Sequence, residues 1–521
     1  MDRTEVLVIG GGATGAGTAR DLAMRGFQVT LLERSDFSCG ATGRSHGMLH
    51  SGARYAVKDP QSAVECATEG EVLRRIAPFC VEDTGGLFVG LTQEDEDYLP
   101  TFLRACQASG VRTREIGVEE ALEREPVLNP GTKAAVEVND GYLDPFFLTQ
   151  GNVRDARSWG ARVLNYAEVV DMRVSGGRIE EVDYRDLRTG GIETTRPEMV
   201  VNATGAWADR IAGMAGMSIS LRVDKGSLVV MNGRMTRALI NRLRPPSDGD
   251  IIVPSHSSSI VGTTSVAIDD PDECHPTREE VDLLISQGAD MVPALKGARA
   301  IRAYAGIRPL PAESEEGREI SRAYHLLDHE EEGLDNLVSI IGGKLTTYRL
   351  MAEEVSDLVA AKLGGRGGCR TALEPIMEGA TEISSPLPEF HLSRMRRKYR
   401  GLAPSIAKEC EEPRGRETLC SCERVLRGEA QFFCREGDVH LMSDLLRRTR
   451  AGMGFCQSGM CWSRLLSVMI DHLDRDPEEL LREYLRERMR GVRPVLFGEQ
   501  LRQEAFKEYL STLYHLPGGE P

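Results

Sequence analysis

A chain of 521 residues with a formal charge of -16 is too long for one average domain and too acidic to coat nucleic acid. It contains no run approaching the roughly 18 apolar residues of a membrane span, and no signal-peptide core, so a cytoplasmic chain without a transmembrane segment of its own is expected. Twelve cysteines in a chain this long do not make a small-domain disulfide framework, and thiols clustered in a reducing compartment point to metal.

Residues 6–9 read as a short apolar strand. Gly10, Gly11, Gly12, Ala13, Thr14 and Gly15 follow, matching G-x-G-x-x-G ahead of a helix over 16–25. Gly10 permits the tight turn, Gly12 lets backbone approach phosphate, and Gly15 lets helix pack on strand. The helix N-terminus then offers N–H groups and a positive dipole end to a pyrophosphate. A second strand over 28–32 ends in Glu33, eighteen residues after Gly15, where a carboxylate can accept hydrogen bonds from a ribose diol.

Residues 35–55 are rich in Gly, Ser, Thr and Arg and read as loop beside the nucleotide. Helices are expected over 61–77, 99–108 and 149–159, and strands over 84–91, 163–170, 178–185 and 199–202. The last strand runs into Ala203-Thr204-Gly205, a glycine turn that brings the chain back to the nucleotide. Alternation over 228–231, 251–254 and 259–264 predicts a separate antiparallel sheet. A strand over 337–341 leads to Gly342-Gly343-Lys344 and a helix over 346–362, and five residues rich in glycine, 364–368, read as a linker. Helices with apolar stripes are expected over 477–490 and 500–513.

Four cysteines are not scattered. Cys420 and Cys422 form C-x-C, and Cys456 and Cys461 form C-x-x-x-x-C. Four thiolates can enclose an iron–sulfur cluster or a tetrahedral zinc, but zinc ribbons favour C-x-x-C knuckles. Buried free thiols are the plain alternative.

The segments 10–34, 41–47, 50–55, 262–264, 304–309 and 342–349 together resemble the flavin-dependent glycerol 3-phosphate dehydrogenases, within the D-amino-acid oxidase-like flavoproteins. With the cysteines included, nearly the whole chain is similar to the multi-subunit anaerobic branch of that family. The cysteine spacing and residues 447–454 resemble the bacterioferritin-associated ferredoxin module, which holds a [2Fe-2S] cluster. There the basic residues and glycine N–H groups of 447–454 would offset the cluster's charge.

The resemblance implies an α/β architecture: a Rossmann-like FAD-binding domain with an inserted antiparallel substrate domain, then a small helical iron–sulfur domain. The expected boundaries are 1–372 for the oxidoreductase unit, 373–415 for a connector, 416–470 for the cluster domain and 471–521 for terminal helices. Within the first unit, FAD-binding segments fall near 1–80, 150–215 and 300–365, with the substrate domain near 81–149 and 216–299. It also implies FAD rather than NAD, oxidation of glycerol 3-phosphate to dihydroxyacetone phosphate, and partner subunits that carry electrons toward membrane quinone and hold the chain peripherally.

Cofactor contacts are expected at Gly10, Gly12, Ala13, Thr14, Gly15, Glu33, Arg34, Thr42, Ser45, His46, Gly205, Gly343, Leu345 and Thr346. The substrate phosphate calls for guanidinium groups, which pair with oxyanions, and Arg308, Arg322 and Arg54 are the candidates. Lys344, after its glycine pair, is expected to stabilise developing negative charge. His50 is the expected base, with His46 as the alternative and Tyr55 in the same pocket. Cys420, Cys422, Cys456 and Cys461 are the expected metal ligands. Two other readings stay open: a related dehydrogenase of an amino acid, opine or 2-hydroxy acid, and a non-catalytic assembly protein.

Overall fold

Val6, Leu7 and Val8 are completely buried, as the centre of a parallel sheet covered on both faces requires. The computed structural model describes residues 2–311, 323–379 and 382–513. In it the Asp2–Ile9 strand lies parallel to Val29–Leu32 on one edge and to Ile192–Asn202 on the other, with Ile9 opposite both Leu32 and Asn202. The far edge of Ile192–Asn202 is shared. Residues 200–202 run parallel to Leu337–Gly342, while residues 192–195 pair antiparallel with Arg178–Asp186. The carboxyl ends of three parallel strands therefore converge with their glycine turns, at the crevice where such a sheet takes ligands. Helices Ala13–Met24, Pro145–Ser158 and Tyr348–Lys362 cover one face and share one core with Val6, Val8 and Val201.

Two local differences from the sequence reading have physical causes. The first helix begins at Ala13, not 16, because Gly12 is its N-cap. The single strand expected over 163–170 is two, Arg162–Leu164 and Ala167–Ser175. The break falls at Tyr166, whose φ of 57° is left-handed.

A second, nine-stranded sheet carries Leu221–Met231, Ser258–Gly262, Ile251–Ser255, Leu239–Arg242 and Gly86–Gly90 at its centre. Ala300–Pro311 belongs here too. It pairs antiparallel with Leu221–Met231 from Leu221 opposite Pro311 to Met231 opposite Ala300, and residues 306–310 line the cavity beside the glycine turns. The glycine-rich segment after Lys362 is pinned to the nucleotide fold. Arg366 pairs with Glu5 and lies over the Phe27 ring, and Ile376 is fully buried with its N–H on the Ile76 carbonyl.

The remainder is mainly helical: Glu389–Tyr399, Ala403–Glu409, Arg427–Arg435, Met442–Thr449, Trp462–His472, Pro477–Val492 and Glu499–Leu513. Met395, Ile406, Leu445, Leu465 and Val468 form its own buried core. Among the described residues, no helix is long and apolar enough to cross a membrane.

Candidate active site

The glycines act as their spacing predicts. Gly10 has a φ of 111°, and a Cβ there would stand 2.6 Å from the Ala203 carbonyl oxygen; a Cβ on Gly15 would stand 1.9 Å from the Gly10 oxygen. Gly12 caps the first helix without a side-chain bond, so the positive end of the helix opens on a cavity of about 750 Å³. Glu33 lines the same cavity. Its carboxylate accepts from Gly11 N–H at 2.6 Å and from Ser35 N–H at 2.8 Å, and burial pushes its pKa up against the pull of those donors. Thr42 Oγ1 accepts the Ala13 N–H at 3.0 Å. These groups fit a dinucleotide: a helix end whose N-cap is a glycine, a wall with no room for side chains, and a carboxylate held beside them.

Other expected cofactor residues have defined local roles. Ser45 Oγ donates to the Thr42 carbonyl and accepts the Gly47 N–H, and His46 Nδ1 accepts the Met48 N–H at 3.2 Å, so both stiffen the 42–48 loop along the cavity. Thr14, Gly205, Gly343 and Leu345 line the wall. At Gly343 a Cβ would meet Met351 Sδ at 2.4 Å. Thr346 is different: it is fully buried, and its hydroxyl accepts the His50 N–H at 3.1 Å. It therefore braces the loop that carries His50.

Arg34 stands at the rim. Its guanidinium lines the cavity, lies 4.4 Å from the Trp207 ring centre and pairs with Asp272 at 3.1 Å. Asp272 also accepts from Trp207 Nε1 at 2.9 Å and pairs with Arg210 at 2.5 Å, which ties the 269–275 loop over the Glu33 end of the cavity. Each bond is worth little in water. Together they predict that Asp272→Asn speeds FAD release about fivefold, read as flavin fluorescence recovered on dilution, and an unchanged release rate would show that the loop is no latch.

His50, Arg54, Tyr55, Arg308 and Lys344 also line this cavity. Arg308 is locked before any ligand arrives. Its Nη1 donates to Asp224 at 2.6 Å, and its Nη2 donates to the Thr264 carbonyl at 3.0 Å and to Thr263 Oγ1. Strand register sets this geometry, since Asp224 lies opposite Arg308, and a Cβ on Gly226 would stand 2.4 Å from Nη2. Arg54 pairs with the buried Asp250 at 3.4 Å, and Asp250 also holds Arg244. Lys344 Nζ donates to Ser62 Oγ at 2.7 Å and lies 4.9 Å from the Tyr55 ring centre. His50 Nε2 is 3.4 Å from the Tyr55 hydroxyl, and the His46 and His50 ring centres are 6.0 Å apart. Arg322 lies outside the described residues. Asp224, Gly226, Thr263, Asp250, Lys58 and Ser62 were missed by the sequence reading, although Thr263 sits inside a segment it singled out.

The four clustered cysteines sort into two pairs. The Cys461 thiol donates to the Cys420 sulfur, which lowers the pKa of Cys420 and raises its own; burial raises Cys422, which is paired with Cys456. Gly452 N–H points at the Cys420 sulfur at 3.4 Å. Among the described residues, no three His, Cys, Asp or Glu side chains are gathered as one metal ion would need. Arg447 and Arg448 clasp the buried Asp36 at 2.7 and 2.8 Å, and Arg450 reaches Asp144 at 2.7 Å and Glu423, next to Cys422, at 3.4 Å, so these ion pairs join the helical unit to the oxidoreductase unit. Cys434 is buried elsewhere in the helical core.

Comparison with known proteins agrees with this geometry. The family described as FAD dependent oxidoreductase matches residues 5–355. The chain is 42% identical over 524 residues to the A subunit of the anaerobic glycerol-3-phosphate dehydrogenase of Escherichia coli strain K12, covering 97% of this chain and 96% of that one. It is 41% identical over 97% of its length to the A1 subunit of the enzyme of the same name from Haloferax volcanii, of which 89% is covered. The solved glycerol-3-phosphate dehydrogenase of Bacillus halodurans, complexed with FAD, superposes with a TM-score of 0.74 at 23% identity, over 95% of this chain and 96% of that one, and so shares the fold. A glycine-walled cavity lined by a carboxylate and by cations, on a chain related this closely over its length, places it in the FAD-dependent oxidoreductase family, on the branch of the anaerobic glycerol-3-phosphate dehydrogenase A subunits.

Proposed function

We propose that this chain oxidises sn-glycerol 3-phosphate to dihydroxyacetone phosphate and passes the electrons through a [2Fe-2S] cluster to partner subunits and membrane quinone. One observation carries the substrate reading: two arginines, Arg308 and Arg54, each fixed by a buried aspartate, line one cavity with Lys344, His50 and Tyr55. Preset guanidinium groups suit a phosphate, because the ordering cost is met in folding. With the phosphate on Arg308, the secondary alcohol lies toward His50, and Lys344 favours negative charge on its oxygen. His50 takes the hydroxyl proton as the carbon–hydrogen bond breaks, and Tyr55 orients the imidazole. FAD held by the glycine turns and Glu33 would supply a hydride acceptor and a route from two-electron to one-electron transfer.

The cysteines support the relay. A [2Fe-2S] cluster takes four thiolates, two for each iron, so two adjacent pairs suit it better than a single zinc, and the Gly452 N–H supplies a donor to one sulfur. The word subunit in the relatives' names supports partners, and through them a peripheral place on the inner face of the cell membrane. Cys422→Ser is expected to leave reduction of a dye at the flavin intact while iron content and transfer to the natural acceptor are lost; an unchanged iron content removes the cluster from the account.

An anaerobic substrate panel tests the reaction. Glycerol 3-phosphate should bleach the flavin, and an amino acid, an opine and a 2-hydroxy acid should not. Bleaching by one of those instead would move the chain to another substrate class, and bleaching by none would favour an assembly role.

A further inference from the structure

Arg450 ties the oxidoreductase unit to the cysteine loops. It ends the Met442–Thr449 helix with a φ of 59°, and its guanidinium is buried. Nη1 donates to Asp144 Oδ2 at 2.7 Å and Nε donates to Glu423 Oε2 at 3.4 Å. Asp144 is the N-cap of Pro145–Ser158, accepting the Phe146 and Phe147 N–H groups at 3.0 Å, and that helix packs on the first helix of the nucleotide fold. Glu423 follows Cys422 directly, and its other oxygen accepts from Ser257 Oγ at 2.9 Å, at the turn between Ile251–Ser255 and Ser258–Gly262. The chain after Arg450 runs into Gly452, whose N–H meets the Cys420 sulfur. At Gly454 a Cβ would stand 2.6 Å from Cys422 Cβ and 3.1 Å from Ser257 Oγ, so the cysteine loops, Glu423 and the second sheet meet there without slack.

We propose that Arg450 is the positioning residue of the four-cysteine site: by spanning Asp144 and Glu423 it fixes the Cys420 and Cys422 loops against the oxidoreductase unit. The inference rests on the reading of those cysteines as cluster ligands. A group two steps from a ligand sets geometry as outer-shell hydrogen bonds do at metal sites. Arg450 lies outside the substrate pocket, so its loss should spare the flavin chemistry.

The test uses the full chain purified anaerobically as wild type, Arg450→Gln, Arg450→Lys and Glu423→Gln. Flavin, iron and acid-labile sulfide are measured per chain, with the electron paramagnetic resonance spectrum after dithionite reduction. Arg450→Gln should retain iron about tenfold less well against a chelator, with an altered spectrum, while flavin content and flavin reduction by glycerol 3-phosphate stay at wild-type values. Arg450→Lys, able to reach one carboxylate only, should fall between. Wild-type iron retention and spectrum in Arg450→Gln would overturn the proposal. Should that variant lose its flavin as well, Glu423→Gln, which keeps an acceptor for Ser257, decides the matter by the same readings. A wild type without iron would overturn the cluster reading itself, before any variant is compared.

Discussion

Arg308→Leu should lower kcat/KM for glycerol 3-phosphate by about a thousandfold, roughly 4 kcal/mol, because the guanidinium charge proposed to hold the phosphate and its remaining N–H donors are lost together. Arg308→Lys should recover only about tenfold of that, since an ammonium supplies charge without the planar fork. Stability must be separated from binding here. Asp224 is buried and its ion partner is Arg308 at 2.6 Å, so the single variant leaves a buried carboxylate stranded. The double variant Arg308→Leu with Asp224→Asn removes that strain. It should melt closer to wild type than Arg308→Leu while staying just as slow. If the double variant regains activity, the arginine is structural and the phosphate is held elsewhere.

His50→Ala should slow flavin reduction in a single turnover by about a hundredfold with FAD still bound, the usual contribution of a positioned base. Its backbone N–H on Thr346 is unaffected by the change, so the loop should keep its place. His50→Gln keeps a polar group near the Tyr55 hydroxyl but takes no proton, and should be as slow as alanine. His46→Ala is the control: its Nδ1 serves the Met48 N–H, and a small effect is expected. A reversal of the two histidines would exchange their roles.

The nucleotide half of the site was legible because its logic is local. Strand, glycines, helix and terminal acid are consecutive in the chain, and each has one job that spacing alone dictates. The substrate half was legible only as single residues. Arg308 stood out in its segment, but Asp224 lies 84 positions away, and only the register between Leu221–Met231 and Ala300–Pro311 shows that the two form a pair. That register also puts residues 300–311 in the second sheet, which their own pattern does not reveal, because an apolar strand reads the same whether its neighbour is parallel or antiparallel. Residues 447–450 mark the other limit. Their positive charge stands near cysteines in the sequence, and their ion partners include Asp36 and Asp144, more than 300 positions earlier. Side-chain direction at a junction of two units depends on docking, which no periodicity records.

The claim on which the rest depends is that fixed cations hold a phosphate-bearing alcohol against the flavin. Anaerobic titration of the purified chain, followed by flavin absorbance, tests it directly, with glycerol 3-phosphate and unphosphorylated glycerol compared side by side. The account predicts bleaching at one equivalent of glycerol 3-phosphate per flavin, with dihydroxyacetone phosphate formed, and no bleaching by glycerol at the same concentration. Equal bleaching by both, or by neither, would contradict it.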